Sequence, residues 1–85
     1  MKKELANKIK NNEELRSVVN ECKEAFKAED LEAYISALRT LCSLLKNYSD
    51  EEVFDTLLYF MKDETKGKSA QDIKKLKEMF LEGKI

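Results

Sequence analysis

The 85-residue sequence contains no histidine, no proline and no tryptophan, and it has only two glycines and two cysteines. Without histidine the chain cannot form Ser-His or Cys-His nucleophile pairs, and it lacks a common general base and metal ligand. The two glycines, Gly67 and Gly83, belong to no Walker-type or dinucleotide-binding motif. We therefore expect a protein that is not an enzyme and that uses no metal and no other cofactor.

The acidic residues do not indicate a carboxylate site. The adjacent acidic pairs lie at predicted helix ends, where capping and the helix dipole account for them. In helical bundles, carboxylate metal sites are built from acids that project inward from facing helices. The inward positions of this chain are apolar, so no such site is expected.

Long apolar runs are also missing, since no stretch approaches the ~20 apolar residues that span a bilayer. The chain begins with lysines after Met1, and charged residues continue where a signal peptide needs an apolar segment. These observations favour a cytoplasmic protein. Its length corresponds to one domain, residues 1–85, and its 42% hydrophobic fraction suffices for a modest core without metals or disulfides.

The lack of proline and the scarcity of glycine favour helix throughout, and the clearest helical pattern lies between residues 31 and 48. Apolar residues recur there at spacings of three and four, which places them on one stripe: Leu31, Tyr34, Ile35, Leu38, Leu41, Cys42, Leu45 and Tyr48. Ala37 and Leu44 widen this stripe. The pattern predicts a central helix with neighbours on more than one side.

Two further helices are predicted before the central one. The first covers residues 2–10 and ends at Asn11 and Asn12, because asparagine is a strong N-cap and the apolar stripe changes direction there. The second covers residues 13–27. A tight turn at residues 28–30 then leads into the central helix, which makes these two helices antiparallel.

Capping signals also define two helices after the central one. Ser49 to Glu52 form a capping box that begins the fourth helix, which is predicted to end at residues 66–68. Ser69 caps the last helix and Gly83 terminates it. The predicted fold is therefore all-α, a small antiparallel four-helix bundle with a short extra N-terminal helix.

Both cysteines lie on apolar stripes that point into the predicted core. Antiparallel pairing of the second and third helices separates Cys22 and Cys42 by roughly 10 Å along the helix axes. A disulfide needs Cα atoms closer than about 7 Å, so we expect two reduced, buried thiols. A redox switch is the alternative interpretation of this pair.

Charge is unevenly distributed along the chain. Residues 1–10 carry four lysines and one glutamate, and residues 65–85 carry six lysines and three acids. Residues 11–64 carry six bases and thirteen acids, so basic ends flank an acidic middle. This favours attraction within the molecule and solubility, and the alternative is a basic patch that binds an anionic partner.

Tyr59 is the first candidate for contact with a partner. Helical periodicity places it on the polar side of the fourth helix with Glu52, Thr56 and Asp63, opposite the core. A tyrosine that faces water among acids is typical of an interface anchor. The alternative is a single exposed aromatic side chain that covers a neighbouring loop.

A lysine cluster forms the second candidate surface. It comprises Lys66, Lys68, Lys74, Lys75 and Lys77, joined by Lys2, Lys3, Lys8 and Lys10 if the two ends of the chain converge. The cluster contains no arginine and few aromatic residues, which weakens the indication of nucleic-acid binding. A solvated helix face is the favoured interpretation.

Together these features predict a non-enzymatic module that binds a partner protein through its acidic helical surface. Small charge-rich domains of this kind are commonly regulators, inhibitors or immunity factors of phages and mobile elements, an association that rests on analogy alone. Phe54 and Leu58 lie at the edge of a wide apolar arc, which leaves room for a homodimer. The alternatives are nucleic-acid or anionic-surface binding through the lysine-rich ends and, less favoured, membrane binding through Leu5 and Ile9.

Overall fold

The computed structural model describes residues 3–83, which form five α-helices and no β-strand. The helices are α1 (Lys3–Lys10), α2 (Glu13–Lys27), α3 (Leu31–Leu44), α4 (Asp50–Phe60) and α5 (Ala70–Glu82). The predicted all-α class is thus confirmed, and Lys2 lies outside the described residues. Within residues 3–83 no helix has both the length and the apolar character needed to cross a membrane.

The break between α1 and α2 occurs where the asparagines predict it. Asn12 has an extended backbone, and its side chain accepts a hydrogen bond of 3.0 Å from the backbone N–H of Leu15. This bond satisfies one of the free donors in the first turn of α2. The change of direction lets Leu5 and Ile9 of α1 become fully buried, so α1 is a part of the core.

The turn between α2 and α3 closes in a left-handed conformation that glycine usually occupies. Glu29 has a φ of 57°, and its N–H donates to the carbonyl oxygen of Phe26 at 3.1 Å. The N–H of Asp30 donates to the carbonyl oxygen of Ala25 at 3.0 Å, which completes a Schellman motif. The Asp30 carboxylate then caps α3 by accepting from the N–H of Ala33.

Helix α3 ends at Leu44, before residues 46–48, where the sequence pattern predicts its end. The backbone is no longer helical at Leu45, yet the Leu45 side chain is buried. Leu45 therefore fits the apolar pattern because the turn places it in the core, and not because the helix continues. Tyr48 donates a hydrogen bond of 2.9 Å to Glu4 of α1. Leu31, at the start of the predicted stripe, and Leu44, which lies beside it, are 42% and 39% exposed.

Helix α4 begins at the predicted capping box but ends earlier than predicted. The N–H of Glu52 donates to Ser49 Oγ at 3.2 Å, and the N–H of Ser49 donates to Glu52 Oε1 at 3.0 Å. The helix ends at Phe60, and turns occupy the chain from there to α5. In this segment the N–H and hydroxyl of Thr65 both donate to the carbonyl oxygen of Met61.

Helix α5 has the predicted caps and packs on α4. Ser69 Oγ accepts from the N–H of Asp72, and Gly83 takes the left-handed conformation at the end of the helix. Phe80 stacks on Phe54 with ring centroids 6.0 Å apart. All five helices contribute to one apolar core, whose largest fully buried side chains include Tyr34, Phe54, Leu5, Ile9, Leu38, Leu41 and Leu57.

Candidate partner-binding surfaces

Tyr59 lies on the surface of α4, with 38% of the residue exposed. Lys62 Nζ is 4.6 Å and Lys10 Nζ is 5.8 Å from the centroid of its ring, and Phe60 meets the ring edge-on at 5.5 Å. Lysine ammonium groups at these distances are attracted to the electron-rich face of an aromatic ring. The predicted acidic surroundings are therefore corrected, because the charged groups that contact the ring are cations.

Thr56 does not belong to this surface, which corrects its predicted position. It is fully buried, and its hydroxyl donates a hydrogen bond of 2.8 Å to the carbonyl oxygen of Glu52 in the preceding turn. This bond satisfies the hydroxyl within the helix, so threonine can occupy the core. Helix α1 packs against α4 as well as α2, and the buried arc of α4 is wider than its apolar residues indicate.

The two acidic members of the predicted site have separate environments. Glu52 is partly buried and its carboxylate completes the capping box of α4. Asp63 is exposed beyond the end of α4, where its carboxylate lies 3.9 Å from Lys66 Nζ. Of the predicted site, Tyr59 and Asp63 are the residues that remain exposed.

The apolar edge predicted for a homodimer is largely internal. Phe54 is fully buried against Phe80, and Leu58 is partly buried against the core. Helix α5 covers Phe54, which sequence periodicity placed at the margin of the arc. This correction removes Phe54 as a residue for self-association.

Lys77 forms ion pairs with α4 and is therefore not a free member of the predicted lysine cluster. Its ammonium group lies 2.9 Å from Asp55 Oδ1 and 3.1 Å from Glu51 Oε2, and the lysine side chain is 23% exposed. The hydrogen bond to Asp55 and the pairing with Glu51 raise the pKa of Lys77 despite the opposing effect of its burial. The charge of Lys77 therefore joins two helices of the same molecule.

The other lysines of the cluster lie on the surface in different surroundings. Lys74 and Lys75 are exposed on α5, and Lys66 pairs with Asp63. Lys68 Nζ lies 5.9 Å from the centroid of the Phe26 ring. At the other end of the chain Lys3 and Lys8 are exposed, and Lys8 Nζ lies 5.8 Å from the ring centroid of Tyr48.

Both cysteines are free thiols with low reactivity. Cys22 is fully buried, whereas Cys42 is only partly buried, which corrects its predicted core position. Burial raises the pKa of the Cys22 thiol to about 12, with a smaller effect from the charge of Glu21. Burial, followed by the charge of Asp50, raises the pKa of the Cys42 thiol to about 12 as well. Because the thiolate is the reactive form, neither residue is suited to nucleophilic chemistry at neutral pH.

The structure also shows a surface that the sequence did not indicate. An open groove of about 630 Å³ runs between α2 and α3 and is lined mainly by small side chains, among them Ser17, Ala33 and Ser36. Glu21 and Glu24 of α2 line it as well. Small residues at these positions leave a depression between two closely packed helices.

Comparisons with known proteins do not assign this chain to a family or a function. No family model, no curated protein and no solved structure matches this chain. Among residues 3–83 there is also no group of three or more His, Cys, Asp or Glu side chains arranged to hold a metal ion.

Proposed function

We propose that the protein is a non-enzymatic interaction module that binds a partner protein through Tyr59, Lys10 and Lys62, here called the Tyr59 surface. The observation that carries this proposal is a large exposed aromatic side chain with a lysine from α1 and another from the turn after α4 beside its ring. Contacts that already restrict the ring lower the entropy cost of ordering it in a complex. Tyrosine is also enriched among the residues that dominate binding energy.

The two lysines define the chemistry of the partner. Complementary charge favours a partner surface that carries acidic side chains around a pocket for the tyrosine ring. The acidic surface predicted from the sequence remains part of the proposal as a second contact area, since Glu21 and Glu24 line the groove between α2 and α3. This groove would suit a basic helix of the same partner.

By analogy with other small charge-rich proteins, we place the chain among cytoplasmic regulators, inhibitors or immunity factors of phage or bacterial origin. We also propose that α2 to α5 form an antiparallel four-helix bundle within a single domain. The short turn between α2 and α3 and the stacking of Phe54 on Phe80 between α4 and α5 support this arrangement.

The proposal is tested by capture of partners from nuclease-treated lysate of the source organism, followed by titration of the purified partner. Wild-type protein should retain one specific protein, and Tyr59→Ala should lose it. Leu81→Ala is the matched control, because Leu81 is also exposed but lies on α5. Equal affinity of the partner for wild type and Tyr59→Ala would remove the Tyr59 surface from consideration.

A second candidate function is binding of nucleic acid or another anionic surface through the exposed lysines Lys66, Lys68, Lys74 and Lys75. Exposure of Lys74 and Lys75 on the same helix favours this candidate, although Lys77 forms an ion pair with Asp55 of the same molecule. Affinity should then fall steeply with salt, because each neutralised phosphate adds to the slope. Lys74→Glu combined with Lys75→Glu should abolish binding, and an unchanged affinity of this double variant would exclude the candidate.

A further inference from the structure

A pocket of about 210 Å³ lies where α1, α2 and the end of α4 meet. Its apolar lining consists of Ile9 and Val19, which are buried, and Phe60, which is partly buried. For scale, an apolar cavity of about 150 Å³ accommodates benzene. The pocket therefore has room for an apolar body of about one ring.

The charged groups that line this pocket are all cationic. They are Lys10, Arg16 and Lys23, and the remaining polar residue of the described lining is the uncharged Asn20. Among residues 3–83, none of the three cations forms an ion pair with a carboxylate. Residues 11–64 are acidic overall, so this convergence of positive charge arises from the packing of α1 beside α2.

Arg16 is held at the pocket by a bond to the end of α1. Its Nη1 donates a hydrogen bond of 2.8 Å to the carbonyl oxygen of Lys10. This bond covers a carbonyl oxygen that would otherwise repel an anion. A guanidinium group has five N–H donors in a planar fork, so further donors remain for a phosphate or carboxylate.

We propose that this pocket binds a small organic anion, a phosphate or carboxylate group carried on an apolar body of about one ring. The body packs on Ile9, Val19 and Phe60, and the anionic group accepts hydrogen bonds from Arg16 and Lys23. Three cations favour the doubly charged phosphate monoester over the singly charged carboxylate. The pocket shares Lys10 with the Tyr59 surface, but binding of a small molecule does not require the proposed protein partner.

The test is an NMR titration of the isotope-labelled full chain at neutral pH and constant ionic strength. The probes are phenyl phosphate, inorganic phosphate, which lacks the apolar body, and benzyl alcohol, which lacks the charge. We expect phenyl phosphate to shift the amide signals of Lys10, Asn20 and Lys23 and to bind about tenfold more tightly than either other probe. Equal affinities of phenyl phosphate and inorganic phosphate, or shifts confined to other parts of the chain, would overturn the proposal. Tighter binding of benzylamine than of phenyl phosphate would overturn it too.

Three single variants locate the interaction. Arg16→Gln and Lys23→Gln each remove one charge from the pocket and should weaken phenyl phosphate binding about three- to tenfold. Lys46→Gln is the matched control, because Lys46 is an exposed lysine in the turn after α3, outside the pocket, and it should keep the wild-type affinity. An unchanged affinity in both Arg16→Gln and Lys23→Gln would contradict the proposal. An equal loss in Lys46→Gln would contradict it as well, because the attraction would then be general and not local.

Discussion

Glu29 has a left-handed backbone conformation that is favourable for glycine, tolerated by asparagine and aspartate, and unfavourable for other residues. Its φ of 57° is imposed by the Schellman motif that closes α2 and leads directly into α3. We predict that Glu29→Gly raises the free energy of unfolding by about 0.5–1 kcal/mol, because relief of the strain exceeds the entropy that glycine adds to the unfolded chain.

Urea denaturation of Glu29→Gly beside Ala28→Gly checks this prediction. Ala28 precedes Glu29 and has a right-handed helical backbone, so glycine brings no relief there and should lower the free energy of unfolding by about 0.5–1 kcal/mol. Destabilisation by both substitutions would show that the left-handed conformation of Glu29 is not strained.

The hydroxyl of Tyr34, which has no hydrogen-bond partner among residues 3–83, leads to a second prediction at the residue scale. Tyr34→Phe should raise the free energy of unfolding by about 1 kcal/mol, since it removes a buried polar group without leaving a cavity. Thermal and urea denaturation provide the measurement. Tyr48→Phe removes a paired hydroxyl instead and should not stabilise the protein. A clear loss of stability in Tyr34→Phe would mean that the hydroxyl is hydrogen-bonded in solution.

Individual residues also mark the limit of inference from the sequence. The exposure of Tyr59 follows from its place opposite the apolar arc of α4, and the structure agrees. Thr56 shares that polar side in the sequence pattern and is nevertheless buried. Helical periodicity cannot separate the two, because a threonine satisfied by the carbonyl of the preceding turn is accepted in a core.

At the scale of elements, helix starts were predicted well because N-caps are local. Asn12, Asp30, Ser49 and Ser69 each accept a hydrogen bond from an N–H three residues further on. The ends of α3 and α4 were predicted too late, since apolar spacing continues through Leu45 although the backbone turns there. Where a helix stops without glycine depends on tertiary packing, which spacing alone does not report.

The capping box of α4 gives a prediction for this element. Ser49→Ala should lower the free energy of unfolding by about 1 kcal/mol, because it leaves the N–H of Glu52 without its partner at the helix start. Urea denaturation checks this value against Ser17→Ala, which changes an exposed serine in the interior of α2 and should cause no loss. Equal effects at the two serines would contradict a specific role of the cap.

At the scale of the whole molecule, we predict that the two buried thiols make the free energy of unfolding sensitive to alkaline pH. Burial raises the pKa of Cys22 and Cys42 to about 12 in the folded protein, whereas the unfolded thiols ionise near their ordinary value of 9.0. Their contribution to stability is therefore fully present below pH 9 and is lost as pH rises from about 9 to 12. Each thiol adds a limiting slope of about 1.4 kcal/mol per pH unit.

Urea denaturation under reducing conditions between pH 7 and pH 10 measures this effect. The free energy of unfolding of the wild type should fall at the alkaline end of the range. Cys42→Ser should show a shallower fall, because it removes one thiol at a partly buried position. Parallel curves for wild type and Cys42→Ser would contradict a contribution from this thiol.

The packing of the whole molecule determines which residues meet at each candidate surface. Lys62 lies only three residues after Tyr59 in the sequence, whereas Lys10 reaches the ring through the packing of α1 on α4. Likewise, the pairing of Lys77 with Glu51 and Asp55 needs α5 to lie on α4. Periodicity identified the exposed tyrosine and the lysines, but the contact of Lys10 with Tyr59 and the ion pairs of Lys77 depend on packing between distant segments.

The short length of α1 has a consequence for the Tyr59 surface. An isolated helix of eight residues is not stable in water, so α1 stays helical only while Leu5 and Ile9 are packed in the core. Amide hydrogen exchange in such a terminal segment proceeds through sub-global opening at a lower free energy than complete unfolding. Each opening separates Lys10 from the Tyr59 ring, so a partner that engages both residues would slow exchange throughout α1, including at amides it never touches.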